Sequence, residues 1–217
     1  MAYRRTERES ARLAARHEAI VAAARGLAGD SGLAAVQIVA VAERAGIAAG
    51  TVYRYFPSKE DLVAAVIKDT VDRQVGTIRN AMAASPGALS GLAAALMGFA
   101  TETLRTRRLA FALLAEAGEE GDAARRRIGS EFETLIRAAV ADGQLPEQPY
   151  AATAAAVRGA MVEGLAVPLL PGVDADGTTI ADAAIRDAIR DMALFALRAL
   201  GVADRRARGL VLAAGVP

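Results

Sequence analysis

The chain has 217 residues, 53% of them hydrophobic and only 4% aromatic, with 26 Lys/Arg against 25 Asp/Glu for a formal charge of +1. That length supports one large or two small domains with a sizeable core, and the near-neutral balance by itself points to no charged partner. The absence of cysteine rules out disulfides and thiol chemistry and fits a reducing cytoplasm. No apolar run reaches the roughly 18 residues that a membrane span needs. Arg4, Arg5, Arg8 and Arg12 are not followed by an apolar stretch, so no signal peptide is expected. Alanine dominates, and β-branched and aromatic residues are not gathered in alternating runs; the expectation is an all-α protein of about nine helices.

A first helix is predicted over about 7–28, with Ile20, Ala23, Ala24 and Leu27 on its core face and Gly29-Asp30-Ser31-Gly32 as its end. Arg4, Arg5 and Arg8 precede or open it, either as a disordered arm or as groups that follow a DNA groove. His17, the one histidine, is expected as a partly exposed residue of this helix.

The next segment carries the most information. Ile38, Val41, Ala42 and Ala45 recur at helical spacing, and Gly46 supplies the left-handed conformation that a tight turn between helices requires. A second short helix follows over about 48–55, with Val52 and Phe56 facing inward and Thr51, Tyr53, Arg54 and Tyr55 outward or along the edge. Pro57 stops it. Ser58 and Asp61 then form a capping box for the next helix, whose first core residue is Leu62. Two short helices bent at a glycine are the layout of a helix-turn-helix that lays its second helix in the DNA major groove. Taken singly, Tyr53, Tyr55 and Phe56 read first as ordinary core aromatics, and it is their combination with the neighbouring signals that favours DNA binding. Lys59 stands in a first helical turn, where the dipole disfavours a cation, and that placement points to an anion partner such as a DNA phosphate.

A long connecting helix is predicted over about 58–84, broken by Ser85-Pro86-Gly87, then helices over about 88–104 and 108–117. The run 118–122 reads as an acidic loop or helix break. Further helices are expected over about 122–142, 151–170 and 180–200, and no structure is expected in the tail to Pro217. The domain organisation that follows is 1–57 for the helix-turn-helix, 58–203 for a helical second domain, and 204–217 as tail. Charge distribution agrees with it: residues 1–60 hold nine Lys/Arg against six acids, while the remainder is net acidic.

The run Ala49-Gly50-Thr51-Val52-Tyr53-Arg54-Tyr55-Phe56-Pro57-Ser58-Lys59-Glu60-Asp61-Leu62, with Val41-Ala42-Glu43-Arg44-Ala45-Gly46 upstream, closely resembles the DNA-binding domain of TetR-family transcriptional regulators. The resemblance covers roughly the first 65 residues. It implies DNA contacts from Gln37, Gly50, Thr51, Tyr53, Arg54, Tyr55 and Lys59, with Arg4 and Arg5 as a basic arm. Tyr53 would touch backbone and a base edge, Gly50 would let the helix backbone approach the DNA, and Arg54 would reach guanine or phosphate. Phe56 would anchor the helix to the core. The chain departs from the family at Val36, Val39, Ala40, Ala48 and Ala49, where caps or polar contacts are usual; each lost cap costs about 1 kcal/mol of helix-start stability.

The resemblance further implies a homodimer through the last two helices, whose stripes are Ala154, Val157, Ala160, Met161 and Leu165 on one and Ile185, Ala188, Ile189, Met192, Phe195 and Ala199 on the other. It also implies a small-molecule effector pocket among the middle helices, with candidate lining Leu96, Met97, Phe99, Phe111, Leu114, Phe132, Met161 and Leu165. Glu163 is the foremost polar candidate, because an unpaired buried charge is costly. The function expected is a DNA-binding regulator that binds a double-stranded, palindromic operator and is released by a largely apolar effector. Two other classes compete with it. An all-helical enzyme would need a nucleophile–base pair, a metal set or a phosphate loop, and none is present, so no cofactor is expected. A constitutive DNA-binding or protein-interaction module would lack the pocket.

Overall fold

The computed structural model describes residues 2–106, 108–110, 119–166 and 182–215. Among them the chain is all-α: nine α-helices and one short 3-10 turn, without a strand. In chain order they are α1 (Ala2–Ser31), the 3-10 turn (Leu33–Ala35), α2 (Ile38–Ala45), α3 (Ala49–Tyr55), α4 (Lys59–Ala83) and α5 (Ala88–Arg105). After them come α6 (Glu119–Ala141), α7 (Tyr150–Ala166), α8 (Asp182–Ala199) and α9 (Asp204–Ala214). Residues 108–110 are helical, and the remainder of the helix predicted there lies outside the described residues.

Contacts divide the chain into two compact units. One comprises Met1–Thr70 and Thr106–Leu113, the other Val71–Arg105 and Leu114–Pro217. The first unit is built on α1, which buries Ile20, Val21, Ala24 and Ala28 together with Val36, Ile38, Val41, Val52, Phe56, Leu62 and Val66. Two charge contacts brace it. Arg44 donates to Asp30 at 2.7 Å, its guanidinium lying over Gly26, where a Cβ would come within 3.1 Å of it. Arg25 meets Asp69 at 3.0 Å as an ion pair without hydrogen-bond alignment.

In the second unit α5 is the central helix. Leu89, Leu92, Ala93, Leu96, Phe99, Ala100 and Thr103 are buried, and it packs against α6, α7, α8 and α9. Phe99 and Phe132 meet edge to face with ring centroids 5.5 Å apart, a geometry that the ring quadrupoles favour. At two glycines a neighbouring side chain occupies the space that a Cβ would take. A Cβ on Gly98 would fall 2.6 Å from a methyl of Thr77, and one on Gly164 would strike the Met192 side chain.

Four boundaries differ from the sequence reading. α1 starts at Ala2 and continues through Gly29 and Asp30, because one interior glycine costs a helix only about 1 kcal/mol and the chain turns at Gly32, with φ 83°. The segment 119–122 is helical instead of a loop; its acidic residues occupy the first turn of α6, where the dipole favours anions, and Asp122 pairs with Arg125 one turn on. The helices expected to be the last two are followed by another. α9 forms in the predicted tail because Val202, Ala207 and Val211 are buried and Asp204 accepts from both Arg198 and Arg208.

Two measurements probe these supports. Replacing Gly46, held at φ 65° and ψ 37°, by alanine places a Cβ in the left-handed region and is expected to lower unfolding free energy by about 1 kcal/mol in denaturant titration. The Asp204 carboxyl is held below its ordinary pKa by hydrogen bonds from Arg208 and then Arg198. Its contribution to seating α9 is therefore full above the unfolded carboxylate pKa, about 3.9, and is lost as pH falls through the depressed folded value. Hydrogen exchange should show α9 amides losing protection on acidification, and Asp204→Asn showing that lower protection already at neutral pH.

Candidate nucleic-acid interface

The helix-turn-helix is put together from local signals. α2 ends at Gly46, whose N–H is donated to Glu43 O at 3.1 Å while the Ile47 N–H is donated to Ala42 O at 3.0 Å, closing the last turn. Ile47 and Ala48 lead directly into α3, where Val52 is fully buried and Phe56 is 4% exposed, so the two residues pin one face of the helix to α1 and α2. His17 of α1 stacks on that anchor, its ring 4.9 Å from Phe56 and 6.5 Å from Tyr55. The histidine is thus exposed, as expected of a first-helix residue, and also supports the end of α3.

The other face of α3 is open. Gly50 and Arg54 are exposed, Tyr53 is 53% exposed, and Thr51 and Tyr55 are half-buried at the edges. Gly50 has no neighbouring atom within 4 Å of where a Cβ would stand, so no packing demand of the fold calls for glycine there. Neither short helix has a side-chain cap. Ala48 is extended at the start of α3 without a cap hydrogen bond, as its methyl dictates. Gln37 at the start of α2 is exposed and turns its amide back to donate to Ala34 O at 3.0 Å. The amides at both starts are left without side-chain acceptors, which suits phosphate oxygens.

α4 begins with the capping box. Asp61 N–H is donated to Ser58 Oγ at 3.0 Å, and Ser58 donates its backbone N–H at 3.2 Å and its hydroxyl at 2.6 Å to Asp61 Oδ2. Lys59 stands half-buried in that first turn, next along the chain from the aromatic end of α3. Arg4 and Arg5 lie in the backbone of α1, and their side chains are outside the described residues. Gln37, Gly50, Thr51, Tyr53, Arg54, Tyr55 and Lys59 thus all belong to one small unit with accessible surface, whereas Val52 and Phe56 are its anchors.

The residues named for a pocket are distributed differently. Leu96, Phe99, Phe132, Met161 and Leu165 are buried in the second unit, Phe99 against Phe132. Met97 is also buried and borders a cleft of about 360 Å³ with Thr77, Ala81, Thr101, Glu102 and Ala214. Glu163 is exposed, which of the alternatives open to it is the turn to solvent. Phe111 and Leu114 lie outside the described residues. The buried polar group that sequence reading missed is Gln74, 2% exposed, which donates to Thr103 Oγ1 at 3.2 Å and leaves Oε1 without a donor. Only the helical phase of Gln74 with Thr70 and Ile78, at spacing four, would have placed it inward.

Comparison with known proteins agrees with this geometry. The family described as bacterial regulatory proteins, tetR family, matches residues 20–66. The chain is 33% identical over 156 residues to the HTH-type transcriptional repressor KstR of Mycolicibacterium smegmatis, spanning 62% of this chain and 68% of that protein. It is 47% identical over 58 residues to the repressor of the same name from Rhodococcus jostii, 27% of either chain. RolR in complex with resorcinol has the same fold, with a TM-score of 0.62 at 20% identity over 96% of this chain and 97% of that one. So does FadR from Bacillus subtilis in complex with stearoyl-CoA, with a TM-score of 0.62 at 17% identity over 81% and 97%. The helix-turn-helix with its buried anchors and open recognition face, and the match to a repressor along most of that repressor's length, lead to one conclusion: the chain belongs to the TetR family of DNA-binding transcriptional regulators.

Proposed function

We propose that the protein is a dimeric repressor that grips a palindromic operator through α3 and releases it when a small, largely apolar molecule occupies the second unit. The observation that carries the first half is the open face of α3, with Gly50, Tyr53 and Arg54 exposed while Val52 and Phe56 are buried. Tyr53, Thr51 and Tyr55 supply hydroxyls and Arg54 a forked cation to phosphates and base edges, and Lys59 with the uncapped helix starts takes backbone phosphate. The arm carrying Arg4 and Arg5 adds charge.

One seven-residue helix reads few bases, so a two-fold pair of α3 helices, one helical turn of DNA apart at about 34–36 Å, is the economical arrangement. α7 and α8 are the helices for that pairing. α7 presents exposed Ala152 and Ala156, which permit close helix approach, and α8 presents Phe195 at 53% exposure. Effector control is supported by named relatives: RolR with resorcinol and FadR with stearoyl-CoA each hold a small molecule. In this chain Leu96, Phe99, Phe132, Met161 and Leu165 supply apolar surface for it, and the unpaired Oε1 of Gln74 awaits a donor. α4 is one continuous helix shared by the two units, a covalent route from effector to α3.

Mobility shift on the DNA upstream of the protein's own gene tests the reading. Tyr53→Ala is expected to weaken binding by about 1–3 kcal/mol, and full affinity in that variant would show that α3 is not the reading helix. Gly50→Ala separates binding from folding. With open space around the new methyl and better helix propensity, it should melt at the same or a higher temperature yet bind DNA less tightly.

A further inference from the structure

The second unit holds a cleft of about 380 Å³ between α6 and α7, far richer in arginine than its surroundings require. Arg125, Arg126 and Arg158 line it together with Asp122, Glu133 and the small residues Gly129, Ala151 and Ala155. The charges do not cancel. Asp122 is bound by Arg125. Glu133 accepts from Arg137 Nη2 at 2.7 Å, and Arg137 is not a lining residue. Arg126 and Arg158 form no ion pair among the described residues; Arg126 shares the field of Asp122 with Arg125, and three guanidiniums face two carboxylates across the lining.

Arg158 is the more telling of the two. It is half-buried on α7, and burial followed by repulsion from Arg125 pushes its pKa below the ordinary arginine value. A guanidinium stays protonated regardless, so the site carries an unmet electrostatic cost that an anion would remove. Packing of an aliphatic stem would account for one half-buried arginine, but not for three arginines lining one cleft. The lining on the α7 side, Ala151 and Ala155, leaves room beside the charges.

We infer that this cleft is a binding site for a phosphate group, free or carried by a small molecule, held by Arg126 and Arg158 beside the Asp122–Arg125 pair. The arginines outnumber the carboxylates in the lining, which favours an anion, and the forked N–H donors of Arg126 and Arg158 match phosphate oxygens better than a single carboxylate would. The site is separate from the DNA-reading unit and does not depend on the apolar effector.

Thermal unfolding of the full chain, in buffers matched in ionic strength with chloride, tests the site with inorganic phosphate and with phenyl phosphate. Both are expected to raise the midpoint saturably. A stronger response to phenyl phosphate identifies an ester as the natural source, and an equal response identifies the free ion. Arg158→Gln and Arg126→Gln should each weaken the apparent affinity about tenfold or more, and Arg190→Gln, on α8 and paired with Asp187, should leave it intact. In phosphate-free buffer Arg158→Gln should melt no lower than the parent, since it removes an unpaired cation. The proposal is overturned if neither phosphate shifts the midpoint, or if the shift survives in both variants. It is equally overturned if Arg158→Gln alters the oligomeric state while the phosphate response is unchanged, because the cleft then accommodates a second copy.

Discussion

A helix of seven residues does not hold itself together in water, and α3 is such a helix. Its existence depends on Val52 and Phe56 being taken out of solvent against α1 and α2, and that burial depends on Gly46 turning the chain back through a left-handed residue. Everything the first unit does follows from this constraint. With Val52 and the C-cap Phe56 committed to anchoring and Thr51 and Tyr55 at the edges, Gly50, Tyr53 and Arg54 are free to face outward. The stacked ring of His17 and the Arg44–Asp30 and Arg25–Asp69 contacts brace the surrounding helices without occupying that open face.

The same economy shows in what the short helices lack. α2 and α3 begin without side-chain caps, while α4 begins with a complete Ser58–Asp61 box. An uncapped start is a cost of about 1 kcal/mol to the free protein, and it leaves amides available to an anion. In a unit with only a modest basic excess, these amides, Lys59 and Arg54 are the groups that the proposed reading assigns to phosphate. The second unit follows a different logic. Its helices approach closely at Gly98 and Gly164, and its few buried polar groups, such as Gln74 with Thr103, are only partly satisfied.

The first unit was legible because its determinants are local. Helical spacing of Ile38, Val41 and Ala42, a glycine at the bend, Pro57 after the aromatics and Ser-x-x-Asp at the next start each act within a few residues. What escaped reading depends on partners distant in sequence. α9 looked like tail because Ala207 and Val211 are a weak apolar stripe until Arg198 and Arg208 hold Asp204. Glu163 stands in an apolar run that leaves solvent, an arginine partner or a cavity open to it; α7 has an exposed side, and Glu163 is on it. Gln74 drew no attention on a charged helix, yet it is interior. The arginines of the α6–α7 cleft, scattered as 125, 126 and 158, become a cluster only when the two helices pack.

Footprinting of the intact protein on the DNA upstream of its own gene tests the central claim most directly, that α3 is an exposed reading helix used in two-fold pairs. The account predicts two related protected half-sites, centred about one helical turn or a whole multiple of it apart, with protection strongest where major grooves face the protein. Protection without sequence preference, or a single half-site with no symmetric mate, would contradict it.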